Sequence, residues 1–401
     1  MFIILTFLIN FVVCTNYILT PKDHVYNLMD VYLFSTEHKI STLASFDNLK
    51  FYTISKDDYN LYSNTLDDLF YVEEEQTYTI NDIDENKNKN FVILGENGNI
   101  KYGEYNNIVF GTNSDLPWHL DRITKLKLPL NGSFPYSEKG SCHQNENVDI
   151  HTYVIDTGID VNHTEFQNRA TWLANFVDQE NTDCHSHGTH CAGLVGSKSY
   201  GVCKDAKLFA VKVLDCRGSG STSSVIRGIE FAYKRHLEQS KISDKTVKSI
   251  ISMSLGGGKS LALNKAVKAT IKNDNFYFAA AAGNEDNDAC NTSPAGVKEI
   301  FTVMASDRND DRAYFSNYGK CADIYSPGVN ILSTIPDEKR EVYSGSSMSG
   351  PILVGVLNHY IDLYDDLNMK SLKQLVLEKS SKNQITNNPK NTNNMLIYLN
   401  R

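Results

Sequence analysis

The sequence lacks the features of a nucleic-acid-binding chain and, beyond Thr15, those of a membrane-spanning one. It has no basic stripe and no Lys- or Arg-rich tail, and its net charge is −9. Nucleic-acid binding is therefore a poor expectation. Beyond Thr15, no segment is apolar over the length that crosses a bilayer. No internal repeat is apparent either.

Cysteine is missing from residues 16–110, and this part of the chain also differs in charge. Residues 15–110 hold 16 Asp and Glu against 7 Lys and Arg, whereas residues 111–401 hold 32 acidic and 32 basic residues. The segment contains short apolar stretches and a polar run at 81–90 (NDIDENKNKN). This composition predicts a small α+β domain with a loose loop, distinct from the main body of the chain.

The chain begins with an apolar run at 1–15 (MFIILTFLINFVVCT). Its length is typical of a secretory signal, and the small residues near its end predict a cut after Cys14. No Lys or Arg precedes the run, so an uncleaved anchor stays open as an alternative. Once Cys14 is removed, seven cysteines remain, which fits disulfides and one odd thiol in an oxidising compartment. We expect a secreted, extracellular or cell-surface protein with no stable membrane insertion after signal removal.

From residue 148 onward, apolar runs of strand length alternate with amphipathic segments of helix length. The predicted strands are 148–156, 208–215, 247–255, 276–282 and 299–305, and the predicted helices are 223–237, 261–273 and 347–364. Buried strands separated by helices predict a parallel α/β sheet. In such sheets functional groups gather beyond the carboxyl ends of the strands.

Three residues fit that rule. Asp156 ends a predicted strand and is followed by a Thr-Gly turn. His187 lies at the start of a further predicted helix, 188–195, and Ser347 lies where a loop enters the helix predicted at 347–364. Each motif alone is weak evidence for a catalytic role. The stretch at 183–193 (DCHSHGTHCAG) also allows another interpretation, a zinc site built from Cys184, His185, His187, His190 and Cys191. Structural zinc sites usually draw ligand pairs from either side of a long loop, which this compact cluster does not do.

Taken together, the motifs resemble the subtilisin-like serine protease family, and within it the proteinase K and aqualysin group. The resemblance spans about residues 111–400 and rests on 154–159 (VIDTGI), 187–193 (HGTHCAG), 252–257 (SMSLGG), 281–295 (AAGNEDNDACNTSPA), 315–319 (FSNYG) and 345–351 (GSSMSGP). It implies a subtilisin-like α/β fold of three layers with a mostly parallel central sheet, preceded by a small α+β propeptide domain. The implied organisation is a signal peptide at 1–14, an inhibitory propeptide at 15–110 and a catalytic domain at 111–401.

The resemblance assigns a role to each of the three residues. Ser347 is the nucleophile, His187 the general base, and Asp156 the carboxylate that orients and stabilises the imidazole. The oxyanion hole comes from the backbone N–H of Ser347 and the side-chain amide of Asn284. Ser346 stands where the family usually has Thr, and it retains the hydroxyl.

Substrate recognition is implied by three short segments. In the family, an extended substrate peptide adds as a strand between the segment that begins at Gly218 and the segment 254–256. Segments 254–256 and 281–283 form the two walls of the pocket for the residue before the scissile bond. The residues are Gly218, Ser219, Gly220, Ser254, Leu255, Gly256, Ala281, Ala282 and Gly283. Small uncharged walls predict a preference for aromatic or large aliphatic residues. A kexin-like processing protease of narrow specificity is the alternative, because acidic residues at 285–288 (EDND) lie nearby in sequence.

The resemblance also implies that residues 15–110 are an intramolecular inhibitor, removed by the enzyme itself. The mature chain of the group begins a few residues before a Pro-Trp pair, here Pro117-Trp118, so the cut is expected between Phe110 and Gly111. Phe110 before the bond suits an apolar pocket. The alternative is a polar accessory domain that is not removed.

The cysteines and one aspartate complete the implied features. Cys184 with Cys216, and Cys290 with Cys321, match disulfides of the group, and Cys191 matches a buried free thiol. Pairing of Cys142 with Cys203 is left open. Asp323 matches a structural calcium ligand whose companions are largely backbone carbonyls. Catalysis needs no cofactor, the partners are polypeptide substrates and the chain's own propeptide, and we expect a monomer.

Two functions of other classes remain as alternatives: a catalytically inactive binding homologue and a metal-binding module. Three sequons, at Asn131, Asn162 and Asn291, could accept glycans.

Overall fold

The computed structural model describes residues 16–22, 40–47, 49–80, 93–94, 100–101, 116–134 and 142–399. Their contacts divide the chain into two compact units, Met1–Glu75 and Gln76–Arg401. The expected processing boundary at Phe110 and Gly111 lies outside the described residues, as does the expected signal cut. No described helix is both long enough and apolar enough to span a membrane.

The first unit is an antiparallel sheet with one described helix. Its strands are β1 (Asn16–Pro21), β2 (Ser41–Phe46), β3 (Leu49–Ser55) and β4 (Phe70–Glu74), in the order β2-β3-β1-β4, and the helix is α1 (Lys56–Leu69). Ser55 begins the helix by accepting a hydrogen bond from the backbone of Asp58 at 3.1 Å. Leu66 from α1 packs with Leu19 and Phe70 in a buried cluster, so the unit has its own small apolar core, an α+β arrangement.

The second unit contains the remaining elements. The strands are β5 (Thr77–Ile80), β6 (Ile93–Leu94), β7 (Ile100–Lys101), β8 (Val148–Asp156), β9 (Ala170–Asn175), β10 (Lys207–Lys212), β11 (Ser219–Ser221), β12 (Thr246–Met253), β13 (Leu255–Gly258), β14 (Phe276–Ala281), β15 (Thr292–Ser293), β16 (Phe301–Ser306), β17 (Ile324–Pro327), β18 (Ile331–Ile335), β19 (Lys339–Tyr343), β20 (Ser381–Lys382) and β21 (Met395–Leu396). The helices are α2 (Trp118–Arg122), α3 (His187–Gly196), α4 (Thr222–Ile242), α5 (Leu261–Thr270), α6 (Ser346–Leu363) and α7 (Met369–Lys379), with 3₁₀ turns at Thr164–Phe166 and Ala289–Asn291.

A nine-stranded sheet forms the centre of this unit. Its order is β20-β21-β17-β16-β14-β12-β8-β10-β9, and every pair is parallel except β20 with β21. The central strands are buried along almost their whole length, which explains why they appear in the sequence as nearly continuous apolar runs. Helices α3 and α6 pack against each other, and α4 packs against α5, so the sheet carries two groups of helices. The predicted α/β architecture, with a mostly parallel central sheet between layers of helices, is confirmed.

The helices and strands differ from the predicted ones mainly in the residues at which they end. Helix α4 continues to Ile242, where Ser243 adopts an extended conformation and ends it. Strand β12 ends at Met253, because Ser254 leads the chain into the separate strand β13.

A smaller antiparallel sheet, in the order β11-β5-β13-β15, includes a strand from the acidic N-terminal segment. Strand β5 belongs to the second unit by its contacts. Three disulfides also lie in this unit, joining Cys142 to Cys203, Cys184 to Cys216 and Cys290 to Cys321.

Candidate active site

Three neighbouring strands of the parallel sheet end close together. Strand β8 ends at Asp156, β12 at Met253 and β14 at Ala281, and β12 pairs with both of the others. Helix α3 begins at His187, and Ser347 is the second residue of α6, which packs against α3. The fold therefore gathers the predicted residues at the carboxyl edge of the sheet.

His187 and Asp156 form a buried pair. Nδ1 of His187 lies 2.7 Å from Oδ1 of Asp156, and neither side chain is exposed to solvent. The same carboxylate oxygen accepts a hydrogen bond from the backbone of Thr157 at 2.7 Å. Burial lowers the pKa of His187, but the Asp156 carboxylate raises it, and the net pKa lies well above its usual range. The geometry holds Nδ1 against the carboxylate and makes the imidazolium state favourable.

The start of α3 is fixed by Asp183, to which the sequence analysis gave no role. Its Oδ1 accepts hydrogen bonds from Thr157 Oγ1 at 2.8 Å and from the backbone of Ser186 at 2.9 Å. Its Oδ2 accepts from the backbone and the hydroxyl of Thr189 at 2.8 and 2.6 Å. Gly188 is needed here, because an added Cβ would lie 2.0 Å from the carbonyl oxygen of Gly158. Asp183 thus ties the turn after β8 to the first turn of the helix that carries His187.

The carbonyl of Ser347 has an unusual set of partners. Pro351 lies four residues further along α6 and has no N–H to donate to that carbonyl. Ser254 Oγ donates to it instead at 2.8 Å, and the thiol of Cys191 donates at 3.5 Å. The hydroxyl of Ser347 in turn donates to the carbonyl of Ser254 at 3.1 Å. These contacts fix the backbone of Ser347 beside the end of β12.

The buried Cys191 lies beside the imidazole of His187. Its Sγ is 3.8 Å from Nδ1 and 3.9 Å from Nε2 of His187. Burial raises the pKa of the Cys191 thiol, so it is a neutral group at pH 7.

Asn284 is held with its amide oriented by the start of α6. Its Oδ1 accepts a hydrogen bond from the backbone of Ser346 at 2.9 Å, which fixes the orientation of the amide and of its donor NH₂ group. The hydroxyl of Ser346 accepts from the backbone of Gly283 at 3.0 Å. The serine at this position, a departure from the family pattern, therefore joins the helix to the 281–284 segment.

Asn317 stabilises the same loop, and sequence reasoning assigned it no role although it lies in the 315–319 motif. Its side chain is buried and donates to the carbonyl of Ala282 at 3.0 Å and to Oε2 of Glu285 at 2.6 Å. Its Oδ1 accepts from the backbones of Glu285 and Asn287 at 3.1 and 2.9 Å. A single amide thus fixes the turn that presents Asn284.

Strand β5 lies between the two segments predicted to bind substrate. It pairs antiparallel with β11 through Tyr78 opposite Gly220, and with β13 through Thr79 opposite Gly256. The backbone of Ile80 also donates to the carbonyl of Gly218 at 3.1 Å. This is β-augmentation by a segment of the same chain, and no signal in the segment 77–80 (TYTI) identified these partners in advance.

Side chains of β5 alternate between buried and exposed positions. The ring of Tyr78 is fully buried and its hydroxyl donates to the carbonyl of Gly258 at 3.1 Å. A Cβ added to Gly257 would lie 2.9 Å from that ring, so the glycine makes room for the aromatic side chain. Thr77 and Thr79 are exposed.

The predicted pocket walls are small and buried. Ala281 and Ala282 are at most 1% exposed, and Ser254 and Leu255 are equally buried. With Gly256 and Gly283 they make six wall residues, of which only Leu255 has a large side chain.

The histidines and cysteines of 183–193 do not converge on one ion. Cys184 is bonded to Cys216. His190 places Nε2 3.1 Å from the carbonyls of both Ile331 and Glu341, and burial lowers its pKa to about 3. It is therefore a neutral donor to two carbonyls.

His185 lies beside Gly218, with its ring centroid 6.3 Å from that of His187. Its Nε2 would be 3.2 Å from a Cβ added to that glycine, and burial lowers the pKa of His185. Of the five residues in the zinc interpretation, His187 and Cys191 lie close together, beside Asp156, whereas Cys184 and His190 have other partners. The five residues therefore do not form one set of ligands.

Residues 151–395 match the model of the Subtilase family. This chain belongs to the subtilase family. Subtilases of fungi resemble it over most of its length. It is 48% identical over 250 residues to "Subtilisin-like serine protease Rho m 2.0101" of Rhodotorula mucilaginosa, a match covering 62% of this chain and 72% of that protein. It is 41% identical over 326 residues to "Cerevisin" of Saccharomyces cerevisiae, covering 76% of this chain and 51% of that protein.

The fold is shared with a solved subtilase structure. A cold adapted subtilisin-like serine proteinase superposes with a TM-score of 0.65 and 37% identity, over 71% of this chain and 99% of that one. "Alkaline protease 2" of Aspergillus fumigatus is 42% identical over 302 residues, covering 70% of this chain and 60% of that protein. The chain thus spans only about half to three quarters of the length of these curated relatives.

Proposed function

We propose that this subtilase is a serine endopeptidase made as a self-inhibited precursor. The observation that carries the proposal is strand β5, a segment of the chain that lies between β11 and β13 as an extended peptide would. It is paired through its backbone beside a buried Asp-His pair and a serine at a helix start.

The reaction follows from the groups at the site. The hydroxyl of Ser347 turns from the carbonyl of Ser254 and attacks the substrate carbonyl carbon, while His187 takes its proton. Asp156 stabilises the imidazolium that forms. The imidazolium then returns the proton to the departing amine, leaving an acyl-enzyme. A water molecule attacks that ester with His187 again as base, which releases the acid and restores Ser347.

Charge that develops on the carbonyl oxygen is stabilised by two donors. These are the NH₂ group of Asn284, whose Oδ1 is already occupied by Ser346, and the backbone N–H of Ser347 at the start of α6. Both are fixed before substrate binds, so the transition state requires little reorganisation.

We propose a preference for aromatic or large aliphatic residues before the scissile bond. The walls formed by residues 254–256 and 281–283 contain no carboxylate. Glu285, the nearest acid in sequence, accepts hydrogen bonds from Asn317 and from the backbone of Asn284. Selection of basic residues, as in a kexin-like enzyme, is therefore not favoured.

Strand β5 suggests where the precursor is first cut. Since Ile80 pairs opposite Leu255 at the start of β13, we propose that the chain is cleaved by its own active site shortly after Ile80. The predicted bond between Phe110 and Gly111 then becomes a second cut that trims the mature N-terminus. The buried Tyr78 keeps the released segment bound as an inhibitor.

Secretion is part of the proposal. The apolar run at 1–15 supports export, and the three sequon asparagines Asn131, Asn162 and Asn291 are all exposed. Three disulfides suit an oxidising compartment.

Activity is tested with a fluorophosphonate probe and mass spectrometry on the processed enzyme. Label is expected on Ser347, with cleavage of a peptide library after apolar or aromatic residues. Ser347→Ala abolishes both. Ser349→Ala, a buried hydroxyl on the same helix that donates to Ser326, retains labelling. An unlabelled, inactive processed enzyme would refute the proposal.

Processing is tested by N-terminal sequencing and intact mass. Wild type should yield a fragment that ends shortly after Ile80 and a mature chain that begins near Gly111. Ser347→Ala should accumulate as the uncut precursor. Normal processing of Ser347→Ala would show that another protease makes the cuts.

A further inference from the structure

The calcium ligand predicted at Asp323 already has a cation as its partner. Nζ of Lys373 lies 2.8 Å from Oδ1 of Asp323. It also donates to the carbonyl of Lys298 at 2.7 Å and to the carbonyl of Ile300 at 2.5 Å. An ammonium has three hydrogens, and these three oxygens account for all of them.

Both charges are largely removed from solvent. The side chains of Lys373 and Asp323 are 14% and 12% exposed. The second carboxylate oxygen of Asp323 accepts a hydrogen bond from the backbone of Thr302 at 2.8 Å, and the ring of Phe301 faces Nζ at 6.0 Å. The ammonium of Lys373 is therefore surrounded by oxygen atoms and an aromatic ring, the groups that bind cations in proteins.

The residues present do not fit a calcium ion at this position. Calcium takes six to eight oxygen ligands, and the carboxylate and carbonyls that would supply them face an ammonium instead. A divalent ion beside Nζ would also be repelled by it. The negative charge of the Asp323 carboxylate is balanced by the positive charge of the Lys373 ammonium. This pair is therefore neutral without a metal ion.

The position of the cluster indicates its structural role. Lys298 and Ile300 lie immediately before β16, Asp323 lies immediately before β17, and Lys373 lies in α7. Strands β16 and β17 are parallel neighbours. The ammonium therefore joins the amino ends of two central strands to the helix packed beside them.

We propose that Lys373 is a built-in cation that replaces a structural calcium ion at Asp323. The site needs no metal, and its stabilising effect belongs to the chain itself. This inference does not depend on the proposed function, because it concerns the folded state and not the reaction.

The test is thermal unfolding of the full chain in the Ser347→Ala background, which avoids self-digestion. The parent should unfold at the same temperature in chelator and in millimolar calcium. Lys373→Met leaves the Asp323 carboxylate buried without its partner, so the unfolding temperature should fall by about 5–10 °C in chelator. Lys370→Met, an exposed lysine on the same helix, should leave it unchanged.

Two results would overturn the proposal. One is an unfolding temperature of Lys373→Met equal to that of the parent. The other is calcium stabilisation of the parent that Asp323→Asn removes. If Lys373→Met does not accumulate as folded protein, calorimetric titration of the parent with calcium decides the question, with no Asp323-dependent binding expected.

Discussion

Nδ1 of His187 lies 2.7 Å from Oδ1 of Asp156 in a site from which solvent is excluded. Burial alone lowers the pKa of His187, yet the net pKa lies well above its usual range because of the carboxylate. The imidazole can accept the proton of Ser347 only when it is neutral. Activity should therefore fall as the pH drops through this raised pKa, with the acid limb of kcat/KM above about pH 6.5.

Replacing the carboxylate tests that relationship. Asp156→Asn removes the charge that raises the pKa of His187, so the acid limb should move to lower pH. It should also lower kcat by about 10⁴-fold, the scale known for the same replacement in a Ser-His-Asp triad. The check is a pair of pH profiles of kcat/KM. An acid limb at the same pH in both enzymes would show that Asp156 does not set the pKa of His187.

Asn284 should contribute to the chemical step and little to substrate binding. Asn284→Ala removes an oxyanion donor, so kcat should fall about 100- to 1000-fold, the scale known for subtilisin, while KM changes little. Asn287→Ala is the control, since its side chain is exposed in the same loop. An equal loss in both variants would point to a disturbed loop and away from a specific donor.

Tyr78 should anchor the inhibitory strand. Its ring is buried and its hydroxyl is bonded to Gly258, whereas Thr79 points to solvent. Tyr78→Ala should weaken retention of the cleaved segment by about 30-fold or more, so activity appears with a shorter lag after processing. Thr79→Ala should keep the parent lag. The assay is peptidase activity against time as purified precursor matures. Equal lags for the two variants would contradict this role.

The positions of Asp156, His187 and Ser347 in the fold could be predicted from sequence because each lies within a short contiguous motif. Asp156 ends an apolar strand, and His187 and Ser347 open helices, so local patterns place all three at one edge of the sheet. Strand β5 could not be predicted this way. It pairs with β11 and β13, which lie far along the chain from it, and nothing in its local pattern specifies those partners.

Lys373 is a clearer example of a residue whose partner cannot be predicted from the local sequence pattern. In the sequence it is one of several lysines in 370–382, where no helix is predicted, and nothing there distinguishes it from Lys370, which is exposed in the structure. Its burial against Asp323, a residue distant in the sequence, depends on how α7 packs beside β16 and β17. The motif around Asp323 indicates a cation site, but the identity of the cation is decided by tertiary packing.

Asp183 should position His187 without taking part in the chemistry. Both of its oxygens accept hydrogen bonds, from Thr157 and Ser186 on one side and from Thr189 on the other. In Asp183→Asn, one of these oxygens becomes an NH₂ group, which cannot accept. Two or more hydrogen bonds are then lost inside a buried network, at a cost of about 2–4 kcal/mol in the free energy of unfolding. Because the start of α3 is loosened, kcat should also fall, by about 10- to 100-fold.

Asp307→Asn is a matched control, since this carboxylate is partly exposed and accepts hydrogen bonds from the backbones of Asn309 and Asp311 in its own loop. Urea unfolding of the Ser347→Ala forms measures the stability, and kcat of the active forms measures the positioning. If Asp183 acted only on the stability of the fold, kcat would be retained well below the unfolding transition. A lower kcat with an acid limb at the parent pH is the result expected for a residue that places the imidazole without setting its charge.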